Sequence, residues 1–382
     1  MQIIRESTYR AAQEVAEAVE KHFTRRIDAA QSVGKEVLAY APSKRTIEVV
    51  LDAAFWASLR REEGNPPKIS IAFLPPDQAE MPMLFEQPIP FSPDTLIKIA
   101  PGVERPGIHL GIWPKDGELY IWGATRTIPS LCFVVDVSEP GLLVVKHRRT
   151  DGYGKFANVA VLKGDQVKVV DENGAALPDC PNLLSSLLSS STSPGFFAST
   201  NVLIQLAVSM RAHHQGGSLL VVPSNSSAWQ ESIIRPIMYA VQPAYCALAD
   251  LMLQEQENTN DALWQSKLRK EIDSLAGLTA VDGATIIDDQ YNLLAFGAKI
   301  GRPPQATPID QVMLTEPIIG DSGKVVHPSE NGGTRHYSAA QFVHDQQDAL
   351  AMVASQDGRF TIFSWSPCEN MVQAHRIDSL LL

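Results

Sequence analysis

The chain has 382 residues, 45% of them hydrophobic, with a net charge of −11 and an isoelectric point near 5.3. That length suits two domains, or one large domain with additions, and supplies enough apolar side chain for sizeable cores. The acidic balance excludes nucleic-acid binding through bulk charge, so any grip on a polyphosphate must come from a local basic pocket. The four cysteines, Cys132, Cys180, Cys246 and Cys368, are scattered without a CxxC pair, which argues against a disulfide framework or a zinc knuckle. Cys246 and Cys368 read as packing residues. Residues Met1–Arg10 are charged and polar with no signal-peptide core, and no apolar run reaches the roughly 18 residues of a membrane helix. A soluble, reduced, cytoplasmic protein without a membrane partner is expected.

Residues 5–33 predict a long amphipathic helix, with Ala11, Val15, Ala18, Val19 and Phe23 at helical spacing. A second helix is expected over Thr46–Arg61, then a strand over Ile69–Leu74 stopped by Pro75-Pro76. Gly107–Trp113, Leu119–Gly123, Ser130–Val137 and Gly141–His147 are short, rich in β-branched and aromatic residues, and separated by turn signals such as Lys115-Asp116-Gly117. Val159–Leu162 and Val167–Val170 flank Lys163-Gly164-Asp165, a hairpin signal. Lys146-His147-Arg148-Arg149 reads as an exposed strand end rather than a binding patch. These elements define a smaller α+β domain over residues 1–180. A Ser-rich linker at 181–195 follows, its leucines 183, 184, 187 and 188 expected to dock.

From residue 196 to 382 helices and strands alternate, which predicts an α/β domain with a mixed sheet flanked by helices. Helices are expected over Thr200–His213, over Ser232–Gln254 with interruptions at Pro236 and Pro243, over Asp261–Leu275 capped by Asp261, and over Ser338–Asp348. Strands are expected at Ser218–Val222, Thr279–Ile287, Leu293–Ile300, Ala349–Ser355 and Arg359–Trp365. The adjacent His213 and His214 point in different directions on a helix, so a shared metal role is not expected.

The chemistry concentrates in three places. Asn331-Gly332-Gly333-Thr334-Arg335-His336 brings two glycines, a hydroxyl, a guanidinium and an imidazole to a helix start, where free N–H groups favour an anion and Arg335 can fork onto phosphate oxygens. Asp282-Gly283-Ala284 places a carboxylate within an apolar strand, where it needs a cation, a hydroxyl or a metal as partner. The glycine admits something close to the backbone. Ser355-Gln356-Asp357 stands at a strand end. Loops at such ends are where α/β sheets hold ligands.

Together, Asp282-Gly283-Ala284 and Gly333-Thr334-Arg335-His336 resemble the signature pair of the diadenylate cyclase domain, and His214-Gln215-Gly216-Gly217-Ser218 through Pro223 resembles that domain's first helix-to-strand passage. The resemblance spans roughly residues 196–366 and implies condensation of two ATP into cyclic di-AMP with release of pyrophosphate. It implies catalytic roles for Asp282, Arg335 and His336, and nucleotide contacts from Gly283, Ala284, Gly333, Thr334, Arg335, Tyr337, Ser355 and Gln356. It also implies Mg2+ or Mn2+ held by Asp282 and His336, and a second such domain meeting the first face to face. The N-terminal half resembles sensor domains attached to some of these cyclases, which implies an effector of unknown kind. Two positions depart from the pattern: Tyr337 replaces an arginine and Gln356 a glutamate. They leave open a second reading, a nucleotide-binding receptor without turnover. The family's DNA-scanning branch needs an added helical region, and none is expected after the strand ending at Trp365, so no nucleic-acid partner is expected.

Overall fold

A computed structural model of the chain describes residues 6–33, 38–62, 64–149, 156–171, 197–254 and 262–381. The Ser-rich stretch 181–195 and the expected cap Asp261 lie outside the described residues. Contacts divide the chain into two units, Met1–Val170 and Asp171–Leu381.

In the first unit the apolar stripe read from the sequence becomes helix α1 (Arg10–Val33), whose Ala12, Val15, Ala16, Val19 and Phe23 are buried. Helix α2 (Lys44–Ser58) starts where the Ser43 hydroxyl accepts the Thr46 N–H at 3.2 Å. Strand β1 (Ile69–Phe73) is followed by β2 (Met83–Pro90), helix α3 (Pro93–Val103), and the hairpin β3 (His109–Lys115) and β4 (Glu118–Thr125). Next come β5 (Phe133–Glu139), β6 (Leu142–Arg148), β7 (Phe156–Lys163) and β8 (Gln166–Val169). They form one sheet in the order β2-β4-β3-β1-β5-β6-β7-β8, with β1 parallel to β3 and antiparallel to β5. The helices pack on one face, where Phe23, Leu51 and Leu96 meet Ile71, Leu110 and Phe133.

Two elements of this unit escape the sequence pattern. Strand β2 carries Pro88 and Pro90; it is an edge strand, where a missing donor is tolerated, and its register against β4 shifts. Helix α3 places Pro93 in its first turn behind the Ser92 cap, and Pro101 at its far end. The basic stretch is also not simply exposed. Lys146 is 13% exposed and paired with Asp136, His147 is buried, and Arg148 donates to the Ile128 carbonyl.

The second unit opens with helix α4 (Phe197–Ala212) and strand β9 (Gly217–Val222). The long helix expected over 232–254 is not formed. A 3-10 turn (Ala228–Ser232), strand β10 (Tyr239–Tyr245) and short helix α5 (Ala247–Leu253) replace it. Two prolines within eight residues remove helix donors: Pro236 falls in the irregular stretch before β10, and Pro243 is accommodated in β10, an edge strand. Helix α6 (Ala262–Leu278) leads to β11 (Ala284–Asp288), β12 (Leu293–Ala298), β13 (Val312–Thr315) and β14 (Lys324–Val326). Helix α7 (Thr334–Asp345), β15 (Leu350–Ala354), β16 (Phe360–Ser366), β17 (Met371–Arg376) and helix α8 (Asp378–Leu381) follow, so the expected last strand has a further partner. The strand order is β10-β12-β11-β9-β15-β16-β17-β13-β14.

This is the mixed, helix-flanked sheet anticipated. Its central strands are apolar on both faces, as burial on both sides requires. Leu219, Ile287 and Met352 meet α4 and α6, whereas Leu220, Ile286 and Val353 meet Phe342 and Val343 of α7. Cys246 and Cys368, read as packing residues, are exposed. Among the described residues no helix is long and apolar enough to cross a membrane.

Candidate functional site

Pairing register gathers the motifs at one end of the second unit's sheet. Ala284 at the start of β11 is opposite both Ser218 of β9 and Ala298 of β12; Ala354 at the end of β15 is opposite Gly217 and Phe360. The residues before β11 and after β15 are therefore close neighbours although far apart in sequence. The first turn of α7 closes the same end, and together these segments line a cavity of about 860 Å³. Asp282, Gly283, Ala284, Gly333, Thr334, Arg335, His336, Ser355 and Gln356 all line it. Tyr337 does not. It packs against the core under α7 and its hydroxyl donates to the Ile309 carbonyl at 3.4 Å, because two residues along a helix turn it off the face that carries Arg335.

Asp282 differs from its expected setting. Strand β11 begins at Ala284, and the Asp282 side chain is 88% exposed rather than embedded in apolar strand. Gly283 explains this: its φ is +120°, and a Cβ there would lie 2.5 Å from the Gly297 carbonyl carbon. Asp282 thus precedes the first paired residue of β11 and points outward; the register shifts between β11 and β12 lie beyond Ala284, with the extra residues on β12. The close neighbour that Gly283 admits is the adjacent strand. The carboxylate's partner is Lys299, whose Nζ lies 2.5 Å from Oδ2 and donates to the Asp282 carbonyl at 3.3 Å. The Lys299 hydrogen bond and charge hold the Asp282 carboxyl below the usual carboxylate range, with Arg335 adding to the effect.

Helix α7 starts four residues earlier than expected, so Thr334–Tyr337 form its first turn. Gly333 is the N-cap, with no side chain satisfying the helix start, and a Cβ there would meet nothing within 4 Å. The His336 and Tyr337 N–H groups donate to the Gly333 carbonyl, and no side chain caps those of Thr334 and Arg335, the arrangement that suits an anion. Arg335 makes no hydrogen bond or ion pair among the described residues. His336 is 3% exposed, and its Nε2 has no partner among the described residues. Burial pushes its pKa down to about 4; Asp357 opposes that shift, whereas Arg376, Arg359 and Arg335 reinforce it. The imidazole is neutral at pH 7.

The turn after β15 is braced mainly by its own side chains. The Ser355 hydroxyl donates to Asp357, Arg359 Nε lies 3.2 Å from Asp357 Oδ2, and Gln356 donates to the Gln215 carbonyl at 3.3 Å. The Ser355 hydrogen bond, then Arg359, keep the Asp357 carboxyl low. Asp357 lines the cavity beside Gln356, so an anionic group is present there although the neighbouring position is an amide.

Residues 36–126 match the family described as "Probable sensor domain DACNV". This is a sensor domain associated with diadenylate cyclases. The match covers α2, α3 and β1–β4 of the first unit, less than half of the chain. No curated protein matches. Among solved structures, the chain is similar to the crystal structure of a hypothetical membrane spanning protein from Bacillus cereus, at 13% identity, a TM-score of 0.27, and coverage of 50% of this chain and 67% of that one. A TM-score of that size does not establish a shared fold.

Sequence reasoning gave no role to Lys299 and Arg359, both in the cavity wall, and none to Asn331 beyond its place at the head of the glycine motif. Lys299 and Arg359 carry no motif; strand pairing brings them there, next to the ends of β12 and β16. Among the described residues no group of three His, Cys, Asp or Glu can hold a metal ion. The site does fit a divalent ion that takes one carboxylate, Asp282, and completes its shell from phosphates and water. His336 is a poorer ligand, because three guanidinium charges act on it.

Proposed function

We propose that the second unit binds ATP in this cavity and condenses two ATP into cyclic di-AMP, with an effector acting on the first unit to regulate it. The observation that carries the reading is the convergence of Asp282 with Gly333, Thr334 and Arg335 on one cavity of about 860 Å³, a size suited to a nucleotide. The sensor-domain match supports it from the other half of the chain.

In this reading the N–H groups of Thr334 and Arg335 and the Thr334 hydroxyl hold phosphate oxygens. Arg335 neutralises charge that builds on the triphosphate. Asp282 orients the 3′-hydroxyl of one ATP towards the α-phosphorus of the other. The new bond joins the 3′-oxygen to the α-phosphorus, the bond from that phosphorus to the bridging oxygen breaks, pyrophosphate leaves, and the hydroxyl proton passes to Asp282 or water. The reciprocal attack closes the ring. Neutral His336 supports the first turn of α7 and contacts phosphate. Mg2+ or Mn2+ bound at Asp282 would supply charge neutralisation at the phosphates. One cavity holds one ATP, so a second copy of the unit must face the first, with symmetry matching that of the product.

The test is mass detection of cyclic di-AMP after incubating the full chain with ATP and Mg2+ or Mn2+. Product is expected from the wild type. Asp282→Asn should abolish it while retaining ATP binding, and ATP binding without any product would leave the receptor reading in place. That second reading draws on Gln356, whose amide supplies no negative charge and is spent on the Gln215 carbonyl.

A further inference from the structure

The pairing of Ala284 with Ala298 sets Lys299, the residue after β12, against the segment Asp282-Gly283 that leads into β11. Lys299 Nζ therefore meets two oxygens of Asp282 at once, the carboxylate Oδ2 at 2.5 Å and the backbone carbonyl at 3.3 Å. Both side chains line the cavity, and they are 53% and 88% exposed. An ion pair this wet is weak, and the ammonium sits on a flexible stem. Arg335, a second cation in the same wall, acts on the same carboxylate.

A carboxylate oxygen and a backbone carbonyl converging on one cation are hard oxygen donors, the kind that Mg2+ and Mn2+ also take. Lys299 and a divalent ion would compete for them. We propose that Lys299 is the resident counter-cation of Asp282: it holds the carboxylate in place until a divalent ion takes those oxygens, and its ammonium then turns to the ligand's phosphates. The proposal rests on the nucleotide reading above. It makes Lys299 a positioning residue and couples metal binding to phosphate binding, since each arriving ion also releases a cation to the anion site.

The full chain is titrated with Mn2+ alone and free Mn2+ is followed by electron paramagnetic resonance, for the wild type, Lys299→Met and Lys299→Arg. The Met variant, having lost the competitor, should bind Mn2+ roughly fivefold tighter or more, the low end of a linkage between two ligands. The Arg variant should stay near the wild type. Binding of α,β-methylene-ATP, measured with and without Mn2+, should be strengthened by the ion more in the wild type than in the Met variant. Unchanged or weaker Mn2+ binding in the Met variant, or no Mn2+ uptake by any of the three, overturns the proposal. If the Met variant gains Mn2+ affinity but the wild type binds no nucleotide analogue, the exchange at Asp282 stands, and the transfer to phosphate fails along with the nucleotide reading. Both residues are exposed, so equal melting temperatures confirm that the variants are folded.

Discussion

The imidazole of His336 occupies the space above Gly332: a Cβ at 332 would lie 2.5 Å from its Nδ1. Of the two adjacent glycines, this one is required by packing, whereas Gly333 borders open space. Because the ring is buried, it cannot swing aside freely. Gly332→Ala should therefore displace the first turn of α7. The expected cost is about 1–3 kcal/mol in denaturant unfolding, the usual range for overpacking, together with weaker binding of α,β-methylene-ATP. Gly333→Ala should leave stability nearly unchanged.

Arg335 lacks a hydrogen bond or ion pair among the described residues, so removing it should cost little stability, within about 0.5 kcal/mol. Its loss should be felt by a polyphosphate ligand. Arg335→Ala is expected to weaken α,β-methylene-ATP about 10- to 100-fold, the worth of a charged hydrogen bond, with adenosine affected far less. Calorimetric titration of both ligands checks this, and Arg335→Lys should recover only part of the loss, since an ammonium lacks the planar fork.

His336 and His375 are both buried, and burial lowers each pKa from the ordinary 6.5 to about 4. Above pH 6.5 both states are neutral and neither residue contributes to pH dependence. As pH falls from 6.5 towards 4, the unfolded chain takes up protons that the folded chain refuses, so stability is lost across that window. The loss is at most about 3 kcal/mol for each histidine. Denaturant unfolding at pH 7 and pH 4.5 should show the drop, and His375→Gln, which keeps a polar partner for Thr315, should reduce it.

In the first unit, Asp52 of α2 is buried and accepts hydrogen bonds from Thr8 N at 2.7 Å, Thr8 Oγ1 at 3.0 Å and Tyr9 N at 2.8 Å. One carboxylate thus fastens the segment that leads into α1. Asp52→Ala leaves these donors without a partner and should destabilise the unit by about 2–3 kcal/mol. Hydrogen exchange should show lost protection at the start of α1, with the second unit unaffected.

Periodicity made α1, α2, α6 and the inner strands of both sheets readable. Turn chemistry did the same for the hairpins: Asp116 and Gly117 both take positive φ, as a tight hairpin turn requires. The proline-bearing segments β2 and α3 drew no expectation, and the helix expected over 232–254 gave way to β10, because an edge position or a helix's first turn tolerates a proline that an interior position would not. Tyr337 shows the same limit at a single residue. Its neighbours in the motif face the cavity, but helical rotation turns it into the core.

Residue type and local spacing by themselves specified the alternating elements, the carboxylate at 282 and the glycine-led cationic turn at 333–335, because these follow from side-chain chemistry and short-range backbone preference. Only the tertiary structure decided that the two meet, that Asp282 stands exposed ahead of β11, and that Lys299 and Arg359 join them. Those outcomes depend on strand order and register, which pair residues far apart in the chain and leave no trace in local composition.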